Sequence, residues 1–163
     1  MTQLSEIYNQ RILELSAHIP RGERLSDGDA TATAHSKLCG STVTIDLKVA
    51  DGRVTDYGQT VKACLLGQAA ASVMGHNILG SSANELRAVG ATMRKMLKAG
   101  GPPPDGRWAD LAVLEPVKDY KARHASTLLV FDAVESALAA AEAKQAGTGG
   151  AHAEKAMATP GGA

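Results

Sequence analysis

The chain has 163 residues and equal numbers of basic and acidic side chains, 17 of each, so it lacks the positive field that recruits nucleic acid. Hydrophobic residues make up 44% but aromatic residues only 3%, enough for one core built from Ala, Leu, Val and Met and too few rings for base stacking or aromatic cages. No apolar run approaches the ~20 residues of a membrane helix, and the start, MTQLSEIYNQRILEL, lacks the pattern of a secretory signal. A soluble cytoplasmic protein whose thiols are free or metal-bound is therefore expected.

Leu4, Ile7, Tyr8, Ile12, Leu15 and Ile19 recur at helical spacing and predict an amphipathic helix over residues 3–18, ended by Pro20 and Gly22. A polar connector, RGERLSDGDA, leads into the Thr-rich TATAHSKLCG, whose composition favours extended chain. From Thr42 to Val49 the alternation is clean: Val43, Ile45, Leu47 and Val49 on one face, Thr42, Thr44, Asp46 and Lys48 on the other. That pattern predicts a half-buried antiparallel strand. Asp51-Gly52 is a type I′ hairpin signal, and the return strand is expected over 53–62.

After Cys64, the residues Leu65, Leu66, Ala69, Val73, Met74 and Ile78 predict a helix rich in small residues, stopped by Gly80. Ser82 and Glu85 form a capping box for the next helix, with core face Leu86, Val89, Met93, Met96 and Leu97. AGGPPPDGR breaks the chain, WADLAVL reads as a brief helix before Pro116, and a last helix begins near Ser126, its predicted N-cap, and ends about Lys144. The expected organisation is one domain over 1–144 and a disordered tail over 145–163. Its class is α+β: an antiparallel meander of about three strands packed under helices.

The chemistry centres on two cysteines. Cys64 precedes a predicted helix, where unpaired N–H groups and the helix dipole favour an anion; a small buried hydrophobe is the alternative. Cys39 stands beside Gly40, which allows a tight turn. A hairpin returns the chain to the end it left, so Cys39 before the first strand and Cys64 after the second meet at one sheet edge. His35 and His124 could add imidazoles to a thiolate metal site. No GxSxG, P-loop or post-strand GxGxxG is present.

The segments SKLCGSTVTIDLKVADGRVTD and KACLLGQAAASVM resemble the NifU/IscU/SufU-type iron–sulfur cluster assembly scaffolds, and WADLAVLEPVKDYKARHASTLLVFDAV resembles their C-terminal region, especially in the SufU branch. The resemblance spans roughly residues 4–142 and implies a NifU-like N-terminal, IscU-type fold. It implies that Cys39 and Cys64 ligate iron or a nascent cluster, [2Fe–2S] before others, and that the chain is a scaffold rather than an enzyme. Ser41 stands where the family has Asp, Ser126 or Ala125 where it has a third Cys, and Arg123 at a basic position of the SufU branch. A [2Fe–2S] cluster takes four protein ligands, so His35, His124, Ser41, Ser126 or a second copy in a homodimer would complete the set. Implied partners are a cysteine desulfurase and acceptor apoproteins. Two alternatives remain open: a zinc-dependent sulfur-transfer partner of the desulfurase, with two Cys, one His and an open position, and a metal-free desulfurase-binding module.

Overall fold

The computed structural model describes residues 9–37 and 40–153, with side-chain surroundings as far as residue 144. The first turns of the expected N-terminal helix, Cys39, and the tail over 154–163 lie outside the described residues. Helix α1 is Gln10–Ala17, and the Asn9 side chain caps it by accepting from the Ile12 N–H at 3.0 Å. Ile12 and Leu15 are its buried residues of the predicted apolar stripe.

Three strands follow: β1 Ala30–His35, β2 Thr42–Ala50 and β3 Arg53–Lys62. They form one antiparallel sheet in sequence order, as expected. Asp51 and Gly52 both take positive φ, 53° and 75°, the backbone a type I′ turn requires. Val43, Ile45 and Leu47 face the core. Two details depart from simple alternation. A register shift between Lys48 and Val49 leaves Val49 only half-buried. Asp46, on the nominally solvated face, is 1% exposed. The connector before β1 lies over it: Arg24 pairs with its carboxylate, Leu25 N–H donates to it at 3.2 Å, and Thr31 donates from the neighbouring strand. A polar pattern cannot tell solvent from a covering loop that brings its own donors.

Helix α2 is Leu65–Asn77 and packs on β3 and α1. The buried Gln59 on β3 ties these layers, donating to Pro20 O at 3.1 Å and Ala71 O at 3.0 Å and accepting from Tyr57 Oη at 3.0 Å. Helix α3 is Ala83–Ala99, with Ser82 Oγ accepting from Glu85 N–H at 3.1 Å and Gly100 closing it at φ 70°. Only half of the predicted capping box forms, because the Glu85 carboxylate faces Arg107 and Trp108 instead. The expected brief helix before Pro116 is a 3₁₀ helix, Gly106–Asp119, that runs through that proline. Trp108, Leu111, Leu114 and Val117 are its buried residues, and their spacing of three puts them on one face of a three-residue turn.

A short 3₁₀ turn, Lys121–Arg123, leads into helix α4, His124–Ala153. This last helix lies across β1 and β2 and against α2 and α3, and its backbone runs past Lys144, where the apolar spacing ends. The core is thus an antiparallel meander under helices.

Candidate functional site

Strand register brings the predicted residues to one edge. Thr42 pairs with His35 on one side and Lys62 on the other. The β1–β2 turn and the start of α2 therefore leave the sheet at the same end. The turn is closed by Ser36 N–H donating to Ser41 O at 2.9 Å and Gly40 N–H donating to Ser36 O at 2.8 Å. Gly40 has φ +71°, which an L side chain rarely adopts. Cys39 belongs to this turn by sequence and lies outside the described residues. Ser36 and Ser41 are both buried, 4% exposed.

Cys64 is the N-cap of α2, half-buried, and makes no side-chain capping bond. Its sulfur is therefore not committed to the helix it precedes. Sγ instead lies 3.4 Å from Oγ of Ser126. Ser126 is 2% exposed and is not the N-cap predicted for it: α4 begins at His124, which places Ser126 inside the first turn with Oγ also 3.3 Å from Arg123 O. A hydroxyl has one proton, so Ser126 donates it either to the carbonyl or to the sulfur.

The contact depends on a residue the sequence pattern did not single out. A Cβ added to Gly67 would come within 2.9 Å of Ser126 O and of Ala63 Cβ. Only glycine lets α2 pass so close to the start of α4. Its signal was an isolated Gly inside a helical pattern, which calls for a packing reason.

The two imidazoles are placed differently. His35 ends β1, exposed, on the row that holds Thr42 and Lys62. His124 is buried, and its Nε2 lies 3.1 Å from the carbonyl oxygens of both Val117 and Lys118. Residues two apart on a helix do not share a face, and His124 lines a recess with Leu97 and Lys98, whereas Ser126 meets Cys64. Among the described residues no three His, Cys, Asp or Glu side chains converge as a metal site; Cys39 is not among those residues.

Fold and site together define an α+β domain that presents a cysteine-bearing turn and a cysteine-started helix at one sheet edge. The chain belongs to the family of the NifU-like N-terminal domain, whose model matches residues 7–127. A crystal structure of a nitrogen-fixing NifU-like protein (N-terminal) from Brucella abortus is 55% identical, covers 88% of this chain and 99% of its own, and superposes with a TM-score of 0.86. The iron–sulfur cluster assembly scaffold protein IscU of Thermotoga maritima is 26% identical over 132 residues, 81% of this chain and 92% of the relative. A SUF-system protein from Fervidobacterium islandicum AW-1 is 20% identical with a TM-score of 0.76, covers 83% of this chain and 99% of its own, and shares the fold.

Proposed function

We propose that the chain is an iron–sulfur cluster assembly scaffold that holds iron or a nascent [2Fe–2S] cluster on Cys39 and Cys64. The contact of Cys64 with Ser126, beside the turn that carries Cys39, is the observation that carries this reading. It supports a site in which the α2 N-terminus, the start of α4 and the β1–β2 turn each supply a side chain to one edge. Membership of the NifU-like family, and the printed function of the Thermotoga maritima relative, supply the cargo.

In this reading the α2 N-terminus favours Cys64 as a thiolate, the form that binds metal. The tight Gly40 turn lets Cys39 and Ser41 approach the cargo. His35 is the imidazole on the same sheet edge and would serve as a further ligand, while Ser41 and Ser126 are weak oxygen donors because a hydroxyl must lose its proton to ligate well. His124 lines the recess of Leu97 and Lys98 instead, with Nε2 against two carbonyl oxygens, and stands apart from this ligand set. A homodimer would supply remaining ligands. Sulfur would come from a cysteine desulfurase and the finished cluster would pass to acceptor apoproteins in the cytoplasm, so the chain assembles and carries rather than turning over a substrate. Among the described residues no helix is long and apolar enough to cross a membrane.

Anaerobic reconstitution of the full chain with iron and sulfide tests this. Charge-transfer absorption that Cys39→Ser and Cys64→Ser each abolish is the expected result. A colourless, iron-free wild type would overturn it. One zinc per chain, insensitive to iron, would move the site to zinc-dependent sulfur transfer, and a chain that binds neither metal would be a desulfurase-binding module.

A further inference from the structure

The turn that directs Ser126 at Cys64 directs His124 and Ala125 the other way, into a recess of about 400 Å³ lined by Leu97, Lys98, Lys118, Lys121, His124 and Ala125. That volume falls within the range of small-molecule sites. Three lysines are among the residues lining it, in a protein of zero net charge. Lys118 is balanced by Glu115, with N···O 2.9 Å, and also feels Asp119. Lys98 and Lys121 have no acidic partner among the described residues. The first turn of α4 contains no acidic residue, although carboxylates commonly offset a helix N-terminus. Two unbalanced positive charges therefore border the start of a long helix.

His124 adds chemical selectivity. Its ring is 8% exposed, and Nε2 sits between two carbonyl oxygens at 3.1 Å. Carbonyl oxygens only accept, so Nε2 carries the proton and donates to them. In the neutral ring Nδ1 is then an acceptor, and it has no protein donor among the described residues. A ligand that suits all these groups carries two negative charges for Lys98 and Lys121 and one O–H for Nδ1. We propose that this recess binds hydrogen phosphate, independently of any cargo on the cysteines. Sulfate and a dianionic phosphate monoester have the charge without the O–H; bicarbonate has the O–H with half the charge.

Calorimetric titration of the full apo chain at pH 8 and low salt tests the proposal with inorganic phosphate, sulfate and methyl phosphate as probes. The expected result is one saturable phosphate site. Sulfate and methyl phosphate should bind about tenfold or more weaker, the cost of a missing hydrogen-bond partner. The surface double variant Lys98→Ala/Lys121→Ala, checked by its melting curve, should lose phosphate affinity by about tenfold or more. Absence of saturable phosphate binding, equal affinity for phosphate and sulfate, or undiminished binding by the folded double variant would each overturn the proposal.

Discussion

Gly67 sets the distance between Cys64 and Ser126, and substituting it separates two opposed effects. Alanine is the better helix former by about 1 kcal/mol, so Gly67→Ala in a roomy helix would stabilise the chain. Here the new methyl would lie 2.9 Å from the Ser126 carbonyl oxygen and from Ala63 Cβ. Neither atom belongs to a flexible side-chain end, so α2 must move from α4. Overpacking of this kind costs about 1–3 kcal/mol, and the expected net result is destabilisation. Urea unfolding decides the sign: a midpoint raised by Gly67→Ala would refute the close approach of the two helices. The same substitution should open the space between the Cys64 sulfur and the Ser126 hydroxyl, which site-resolved alkylation of Cys64 would register as a faster rate.

Among the elements, the 3₁₀ helix Gly106–Asp119 was the hardest to read. Its apolar residues Trp108, Leu111, Leu114 and Val117 repeat every third position, a period of a 3₁₀ rather than an α-helix, and Pro116 argued for a stop. By contrast β2, β3 and their Asp51-Gly52 turn were legible because a two-residue period and a positive-φ pair are local signals. What holds the 3₁₀ helix to α3 is not local: Arg107 donates to both Glu85 oxygens, at 2.9 and 3.0 Å, and Trp108 Nε1 donates to Oε2 at 2.9 Å. The Arg107 bonds hold the Glu85 carboxyl below the usual carboxylate range, against burial, which pushes the other way, with Trp108 adding to the lowering. Its stabilising bond is therefore fully present above the unfolded-state value near 4.3 and is lost as pH falls through the lower folded value. Trp108 is the chain's one tryptophan. Its emission should shift as pH falls below that unfolded-state value, ahead of the loss of far-ultraviolet circular dichroism. Glu85→Gln should show the shifted emission already at pH 7 and no such acid transition. An emission constant down to global acid unfolding would contradict this attachment.

For the whole molecule, what could be read from sequence was what the chain does with its near neighbours: helices, strands, hairpin, and through the hairpin the convergence of the Cys39 turn and Cys64. What could not be read was which loop covers which face, because a connector such as 18–29 carries no period. Asp46 is the clearest case: alternation marked it as solvent-facing, and the fold seals it under Arg24 with Thr31 and Leu25 N–H as further donors. Burial alone would raise its carboxyl; the hydrogen bonds from Arg24 and Thr31 outweigh burial and keep it below the usual range. Asp27 and Glu142 are lowered as well, by bonds to Lys48 and Arg87. All these carboxylates bind protons more readily in the unfolded chain, so folding stability should rise with pH through the acid range and level off above the unfolded values of about 4. The lysines raised by ion pairs, Lys48 with Asp27 and Lys118 with Glu115, leave stability flat until pH passes the unfolded lysine value near 10.4. Asp46 should dominate the acid limb because it alone of the three is buried, 1% exposed. Asp46→Asn keeps the shape, loses the charge-assisted bond to Arg24, and places an amide N–H against donors. The expected cost at pH 7 is about 1–3 kcal/mol, shrinking as pH falls below the unfolded aspartate value near 3.9. Urea midpoints of wild type and Asp46→Asn measured across that range give the answer, and two parallel curves would show that the Arg24 pair contributes nothing to the fold.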